Sequence, residues 1–196
     1  MIYKFIDNNG SEITVNSLSS LQALVESETI KEDTKIKAGL RGKWTTASKI
    51  NELFFPNGTV ISPDGKILIV GETYAARLTA FDINLDATLS NRRIWADLSK
   101  IRENYFPVPD GICLDEEGAI WVASPTTNEV IRVEEGGKIL ETITVKNNAY
   151  ACMLGGEDRK TLFICTSNGT DEKSCKEDRG GCIETAEVDI AGCGHP

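Results

Sequence analysis

The stretch Phe55-Pro56-Asn57-Gly58 returns as Val108-Pro109-Asp110-Gly111, fifty-three residues further on. The two copies stay in register: Asn57–Val70 lies over Asp110–Val122, with one residue fewer between the second glycine (Gly65, then Gly118) and the apolar run. A third, weaker copy runs from Ala151 to Ile164 and places Ala151 where the others have Asn57 and Asp110. Self-similarity at a period of roughly 40 to 50 residues, carried by short apolar strands, predicts the blades of a propeller. Each such repeat is a small sheet that buries its faces only against its neighbours.

The segment from Phe55 onward reads as all β. Ile67–Val70, Arg77–Phe81, Ile120–Ala123, Val130–Val133, Thr161–Cys165 and Ile183–Val188 are short apolar runs separated by Asp-Gly, Glu-Gly and Gly-Gly turns. Trp95–Leu98 and Lys138–Ile143 supply outer strands, which makes about three blades of four strands. Residues 1–54 read differently. Ile2–Asp7 and Glu12–Val15 form a hairpin about Asn8-Asn9-Gly10, and Ser17 caps a helix whose Leu18, Leu21, Leu24 and Val25 share one face. Thr34–Ala38 and Lys43–Ala47 follow as strands, and Ser48–Leu53 begins with a capping box and predicts a short closing helix. The expected domains are therefore 1–54, small and α+β, and 55–196, a partial propeller.

The 196 residues suffice for a buried core, and 40% hydrophobic content is ordinary for a globular chain. A net charge of −9 argues against nucleic acid as a partner, since few cations are available to displace phosphate counterions. No apolar run reaches membrane-spanning length, and the N-terminus lacks the pattern of a signal peptide, so a cytoplasmic location is expected. Six cysteines in a reducing compartment are read as thiols. Cys113, Cys152 and Cys165 lie in apolar runs and read as small buried hydrophobes. Cys175, Cys182, Cys193 and His195 have poor spacing for zinc, so plain thiols stand ahead of a Cys175–Cys182 disulfide or a structural metal. His195, the single histidine, sits one residue from the end of the sequence, a poor place for a general base.

The order of elements in residues 2–54, ending in Trp44–Ala47, resembles the bacterial GYF-like domain of the second type. The name-giving Gly-Tyr-Phe is absent. The resemblance implies a groove for a proline-rich peptide lined by Tyr3, Phe5 and Trp44, against the alternative that these aromatics form the domain's core.

From Phe55 to Pro196 the sequence resembles the gluconolactonase/regucalcin (senescence-marker-protein-like) family. The phrases that carry the resemblance are Pro56-Asn57-Gly58, Ser62–Gly65, Glu72–Leu78, Pro109–Asp115, Cys152–Gly156 and the ending Gly192–Pro196. The family implies a six-bladed propeller with one divalent cation in its channel, which hydrolyses a sugar lactone or related ester. Asn57 and Asp110 then hold the metal (calcium, zinc, manganese or magnesium), with Asp110 also catalytic as the group that activates water. An Asn-Gly or Asp-Gly pair on its own fits a simple turn. Glu72 and Arg77 match family positions and read as blade-stabilising. The family's third ligand, a glutamate, and its substrate-orienting arginine and asparagine belong to blades this sequence lacks. Two expectations follow. One is a metal-dependent hydrolase of a small lactone or sugar acid, with a homodimer completing the propeller. The other is a non-catalytic interaction protein, a GYF-like module fused to a remnant propeller.

Overall fold

A computed structural model of the protein describes residues 2–27, 29–31, 33–39, 42–50, 55–170, 172–177 and 179–194. The chain divides into two compact units, Met1–Phe55 and Pro56–Pro196.

In the first unit, β1 (Tyr3–Ile6), β2 (Glu12–Val15), β3 (Lys35–Ala38) and β4 (Thr45–Thr46) form an antiparallel sheet in the order β2-β1-β3-β4. The β1–β2 turn is closed by the Asp7 carboxylate, which accepts from the amides of Asn9 and Ser11 at 2.9 and 2.8 Å, with Gly10 at a φ of +81°. Helix α1 (Leu18–Glu26) begins at Ser17, whose Oγ accepts the Ser20 amide at 3.0 Å. Leu21 and Val25 of its apolar face meet Tyr3, Phe5, Val15, Ile30, Ile36, Ala47 and Ile50 in one core. Where a closing helix was expected from Ser48, a single 3-10 turn runs Ala47–Lys49; the rest of that expected helix, residues 51–53, lies outside the described residues.

The second unit is three consecutive antiparallel sheets. Sheet I is β5 (Pro56–Ile61), β6 (Ile67–Glu72), β7 (Arg77–Ile83) and β8 (Leu89–Asp97), and sheet II is β9 (Ile112–Leu114), β10 (Ile120–Ser124), β11 (Glu129–Val133) and β12 (Ile139–Thr144). Sheet III has three strands rather than four: β13 (Asn148–Gly155), β14 (Thr161–Ser167) and β15 (Cys182–Glu187), with a short helix α2 (Glu172–Glu177) in the last connection. In each sheet the strands lie in chain order. Strand β8 starts at Leu89, well before the apolar Trp95 that signalled it, because its first half is polar and exposed.

Alternation along each strand sends side chains to opposite faces, and sheet II is buried on both. Val60, Ile69, Leu78 and Ala80 of sheet I pack with Ile112, Leu114, Ile120, Val122, Ile131 and Val133. On the other side Cys113, Trp121, Ala123 and Val130 pack with Ala149, Cys152, Leu154, Leu162 and Ile164 of sheet III. All six cysteines are free thiols. Cys113 and Cys152 are buried as expected, but Cys165 is exposed, because the face of β14 that carries it has no sheet against it among the described residues. His195 lies outside the described residues.

Candidate functional site

The first residues of β5, β9 and β13 lie side by side at one end of the three sheets. The Gly58 amide donates to the Asp110 carbonyl at 3.0 Å, and the Gly111 amide donates to the Tyr150 carbonyl at 2.9 Å. This one hydrogen bond, repeated from sheet to sheet, makes Asn57, Asp110 and Tyr150 equivalent. The third copy therefore presents Tyr150, not Ala151, at that position. The β13 ladder is irregular between Ala149 and Ala151 just as the β5 ladder is between Pro56 and Thr59, so the extra residue is shared by these copies and the expected register of the third is one residue off. Tyr150 is half-buried, and its hydroxyl accepts from Asn148 Nδ2 at 3.2 Å.

The two glycines are not turn residues. Neither has a positive φ, whereas Gly65 and Gly118 of the following turns do, at +72° and +81°. Their role is close approach: a Cβ on Gly58 would lie 2.5 Å from the Asp110 carbonyl oxygen, and one on Gly111 would lie 2.7 Å from Ala151 Cα.

Asn57 and Asp110 meet at this mouth. Asn57 Nδ2 donates to Thr73 Oγ1 at 3.3 Å, and the Asn57 side chain lies near enough to the Asp110 carboxyl to pull its pKa down. Thr73 Oγ1 in turn donates its proton to the Pro109 carbonyl at 2.7 Å, so towards Asn57 it can only accept. Thr73 escaped the sequence reading; its one signal was a hydroxyl directly after the apolar β6, at the same mouth as Asn57.

Burial raises the pKa of the half-buried Asp110 carboxyl, and the hydrogen bond from Asn57 offsets this only in part. No ion pair reaches it among the described residues. A carboxylate drawn out of water without a cation is destabilising when charged. Its folded pKa lies above the unfolded value, so its contribution to stability is full below that value, near 3.8, and is lost as pH rises through the folded pKa. Denaturation midpoints of the metal-free protein, compared with Asp110→Asn, are expected to diverge as pH rises from 4 towards neutrality, wild type losing the more; parallel curves would contradict this.

The donors suit a hard divalent cation, an amide oxygen and a carboxylate oxygen. No group of three His, Cys, Asp or Glu side chains that could hold a metal gathers among the described residues.

Next to Asn57, whose neighbour Pro56 pairs with Glu72 across the β5–β6 ladder, lies a buried charge network. Glu72 accepts from Arg77 Nε, from Thr79 Oγ1 at 3.0 Å and from Arg92 Nη2 at 2.9 Å. Burial, the largest influence on Glu72, pushes its pKa up, but Arg77 and then Arg92 outweigh it, and the net shift is down. The Glu72 carboxylate thus collects Arg77, Thr79 and Arg92, in keeping with a stabilising role. Arg77 Nη2 is buried without a hydrogen-bond partner, as is Trp121 Nε1 in sheet II.

In the first unit the three aromatics separate. Tyr3 and Phe5 are buried in the core. Trp44 is exposed, with Lys37 Nζ 4.7 Å above its ring, and it lines an open groove with Ile6, Glu12, Lys35, Thr45, Thr46 and Lys49.

Residues 28–168 match the family model described as the SMP-30/Gluconolactonase/LRE-like region. The match starts inside the first unit, upstream of the boundary at residue 55 suggested by the repeat. Regucalcin from Bos taurus is 32% identical over 142 residues, 69% of this chain and 46% of that protein. Regucalcin from Danio rerio is 31% identical over 137 residues, 67% and 45%. The chain thus spans about half the length of the curated relatives it matches. A luciferin-regenerating enzyme superposes with a TM-score of 0.60 at 20% identity, over 81% of this chain and 58% of its own. A calcium-binding regucalcin from Agrobacterium tumefaciens superposes with a TM-score of 0.57 at 21% identity, over 84% and 55%. Both establish a propeller-type arrangement of sheets. With a match over more than half its residues, the chain belongs to the SMP-30/gluconolactonase/LRE-like family.

Proposed function

We propose that the second unit is a half-ring of the six-bladed propeller type, acting in metal-dependent hydrolysis of a sugar lactone or related ester. The observation that carries this reading is the meeting of two repeats at one mouth, where the Gly58 amide on the Asp110 carbonyl at 3.0 Å brings Asn57 beside Asp110. Asn57 Oδ1 and Asp110 would hold the cation, which supplies polarisation of the lactone carbonyl when bound. Asp110 takes a proton from the attacking water. The water oxygen bonds to the carbonyl carbon, the ring C–O bond breaks, and the released alkoxide collects the proton as the open hydroxy acid leaves. An upward-shifted carboxyl is better matched to this proton transfer than an ordinary aspartate. Calcium, which the name of the bacterial relative attaches to that protein, is the first cation to test, with zinc, manganese and magnesium beside it. Two protein donors make an incomplete shell, and a second copy of the chain is the proposed source of the remaining blades. A cytoplasmic location fits lactone or sugar acid substrates.

Binding of a cation to the native state raises the melting temperature by an amount that grows with its concentration. Titration with calcium, then with the other three cations, is expected to show that rise for wild type and to lose it entirely in Asp110→Ala. A melting temperature indifferent to all four cations removes the proposed site.

A second reading, in which residues 1–54 are a GYF-like module acting in protein interaction, is favoured by one observation: Trp44 stands exposed in its groove. With Tyr3 and Phe5 in the core, a proline-rich peptide would rest on Trp44 alone among the three. Capture of such a peptide by the full chain, lost in Trp44→Ala with the melting curve intact, supports this reading; equal capture by both proteins excludes it.

A further inference from the structure

The three sheets are built on one pattern, so equivalent positions can be compared for what covers them. Pairing across the first two strands (Val60 with Ile69, Cys113 with Trp121, Met153 with Phe163) fixes the equivalence. On sheet I, Val60 and Ile69 are 2% and 5% exposed, covered by sheet II; on sheet II, Cys113 and Trp121 are 2% and 0% exposed, covered by sheet III. On sheet III the same positions, Met153 and Phe163, are 39% and 40% exposed. Beside them in register lie Cys165 and Ile183, also exposed. Strands with apolar residues on both faces belong to a sheet covered on both sides. In each covered case the cover is the opposite face of the next sheet, which on sheet II is Ile112, Leu114, Ile120 and Val122.

The same pairing locates that opposite face on sheet I. Thr59, Ile61, Leu68 and Val70 stand where sheet II has Ile112, Leu114, Ile120 and Val122. Ile61, the counterpart of the buried Leu114, is 46% exposed, while Val70 on the same face is 8% exposed. One chain therefore carries the open back of a blade at sheet III and, around Ile61, a partly open front of a blade at sheet I. The two surfaces have the chemistry that the two internal interfaces already join.

We propose that a second copy of this chain docks by its Ile61 face onto the Met153–Phe163–Ile183 face of the first, with the reciprocal contact formed by twofold symmetry. The surface rests on the burial pattern. Only its catalytic consequence, completion of the cation site by the partner's half-ring, rests on the proposed function.

Light scattering of the full chain at micromolar concentration tests it. Wild type is expected at twice the 21.4 kDa chain mass, and Phe163→Glu and Ile61→Glu each at the single mass with unchanged melting curves. Met153→Glu replaces Phe163→Glu if that variant does not fold. Mixing the two monomeric variants is expected to restore a dimer, because one copy keeps its front and the other its back. A monomeric wild type overturns the proposal. So does an Ile61→Glu variant that stays dimeric, which would indicate back-to-back association, and so does a mixture that stays monomeric. Lactone turnover is measured separately: a dimer without turnover leaves the surface standing and counts against the hydrolase, and a monomer with turnover does the reverse.

Discussion

Gly58→Ala is expected to cost about 3 kcal/mol or more of stability, and Gly111→Ala a similar amount, with loss of soluble protein in the worse case. The added methyl at Gly58 would sit 2.5 Å from the Asp110 carbonyl oxygen and 2.6 Å from the Ile112 amide nitrogen, and at Gly111 2.7 Å from Ala151 Cα. These neighbours are backbone atoms of the next sheet. They cannot swing aside as a side chain can, so the sheets must part at the mouth, and the inter-sheet hydrogen bonds of Gly58 and Gly111 lengthen with them. The control is Gly65→Ala. There φ is +72° with open space around the position, so the cost is only the left-handed backbone penalty of about 1 to 2 kcal/mol. Urea midpoints for the three variants check this. Equal losses at Gly58 and Gly65 would mean that backbone conformation, not approach between sheets, is what glycine serves at the mouth.

Glu72→Ala ranks second. It leaves the Arg77 guanidinium buried, already with one unpaired nitrogen, and removes its counter-charge, a change that typically costs about 3 to 5 kcal/mol. Arg92 is partly exposed and can turn to water, so Arg92→Ala is expected to cost far less, about 1 kcal/mol. Glu72→Gln should fall between, because the amide keeps a hydrogen bond to Arg77 but not the charge. The pH dependence has the opposite sign to that of Asp110. The Glu72 pKa is lowered on folding, so its stabilisation is present above the unfolded value of about 4.5 and is lost as pH falls through the folded one. Chemical denaturation from pH 7 down to 3 should show wild type and Glu72→Ala converging. A constant gap across that range would assign the loss to packing and not to the ion pair.

The strands were legible because alternation and turn chemistry are properties of near neighbours. Ile67–Val70 and Ile120–Ala123 lie within strands of the structure, and the Ser17 cap stands where its spacing placed it. The meeting of Asn57 with Asp110 was legible for a related reason: identical local text folds identically, so residues at one place in two repeats arrive at one place in two adjacent sheets. Legibility failed where one residue of slippage mattered. The third copy is weak enough to be aligned one residue off, and only the bond from the Gly111 amide to the Tyr150 carbonyl puts Tyr150 at the mouth. Thr73 was missed because a hydroxyl at a strand end carries no signal until its partners, Asn57 and the Pro109 carbonyl, are in place.

The sequence by itself determined the repeat, the strand spacing, the family and the pair Asn57 and Asp110. All of these depend on patterns within one blade or on copying that blade. The tertiary structure decided which apolar residues have a covering. Tyr3 and Phe5 are enclosed while Trp44 is open, and Cys165, Met153 and Phe163 lie bare where their counterparts in the preceding sheet are sealed. It also decided that Gly58 and Gly111 serve contact between sheets and not a turn. Burial is a property of whatever packs over a residue, and that neighbour comes from far along the chain or, for the bare face of sheet III, from a second copy if the proposed docking holds.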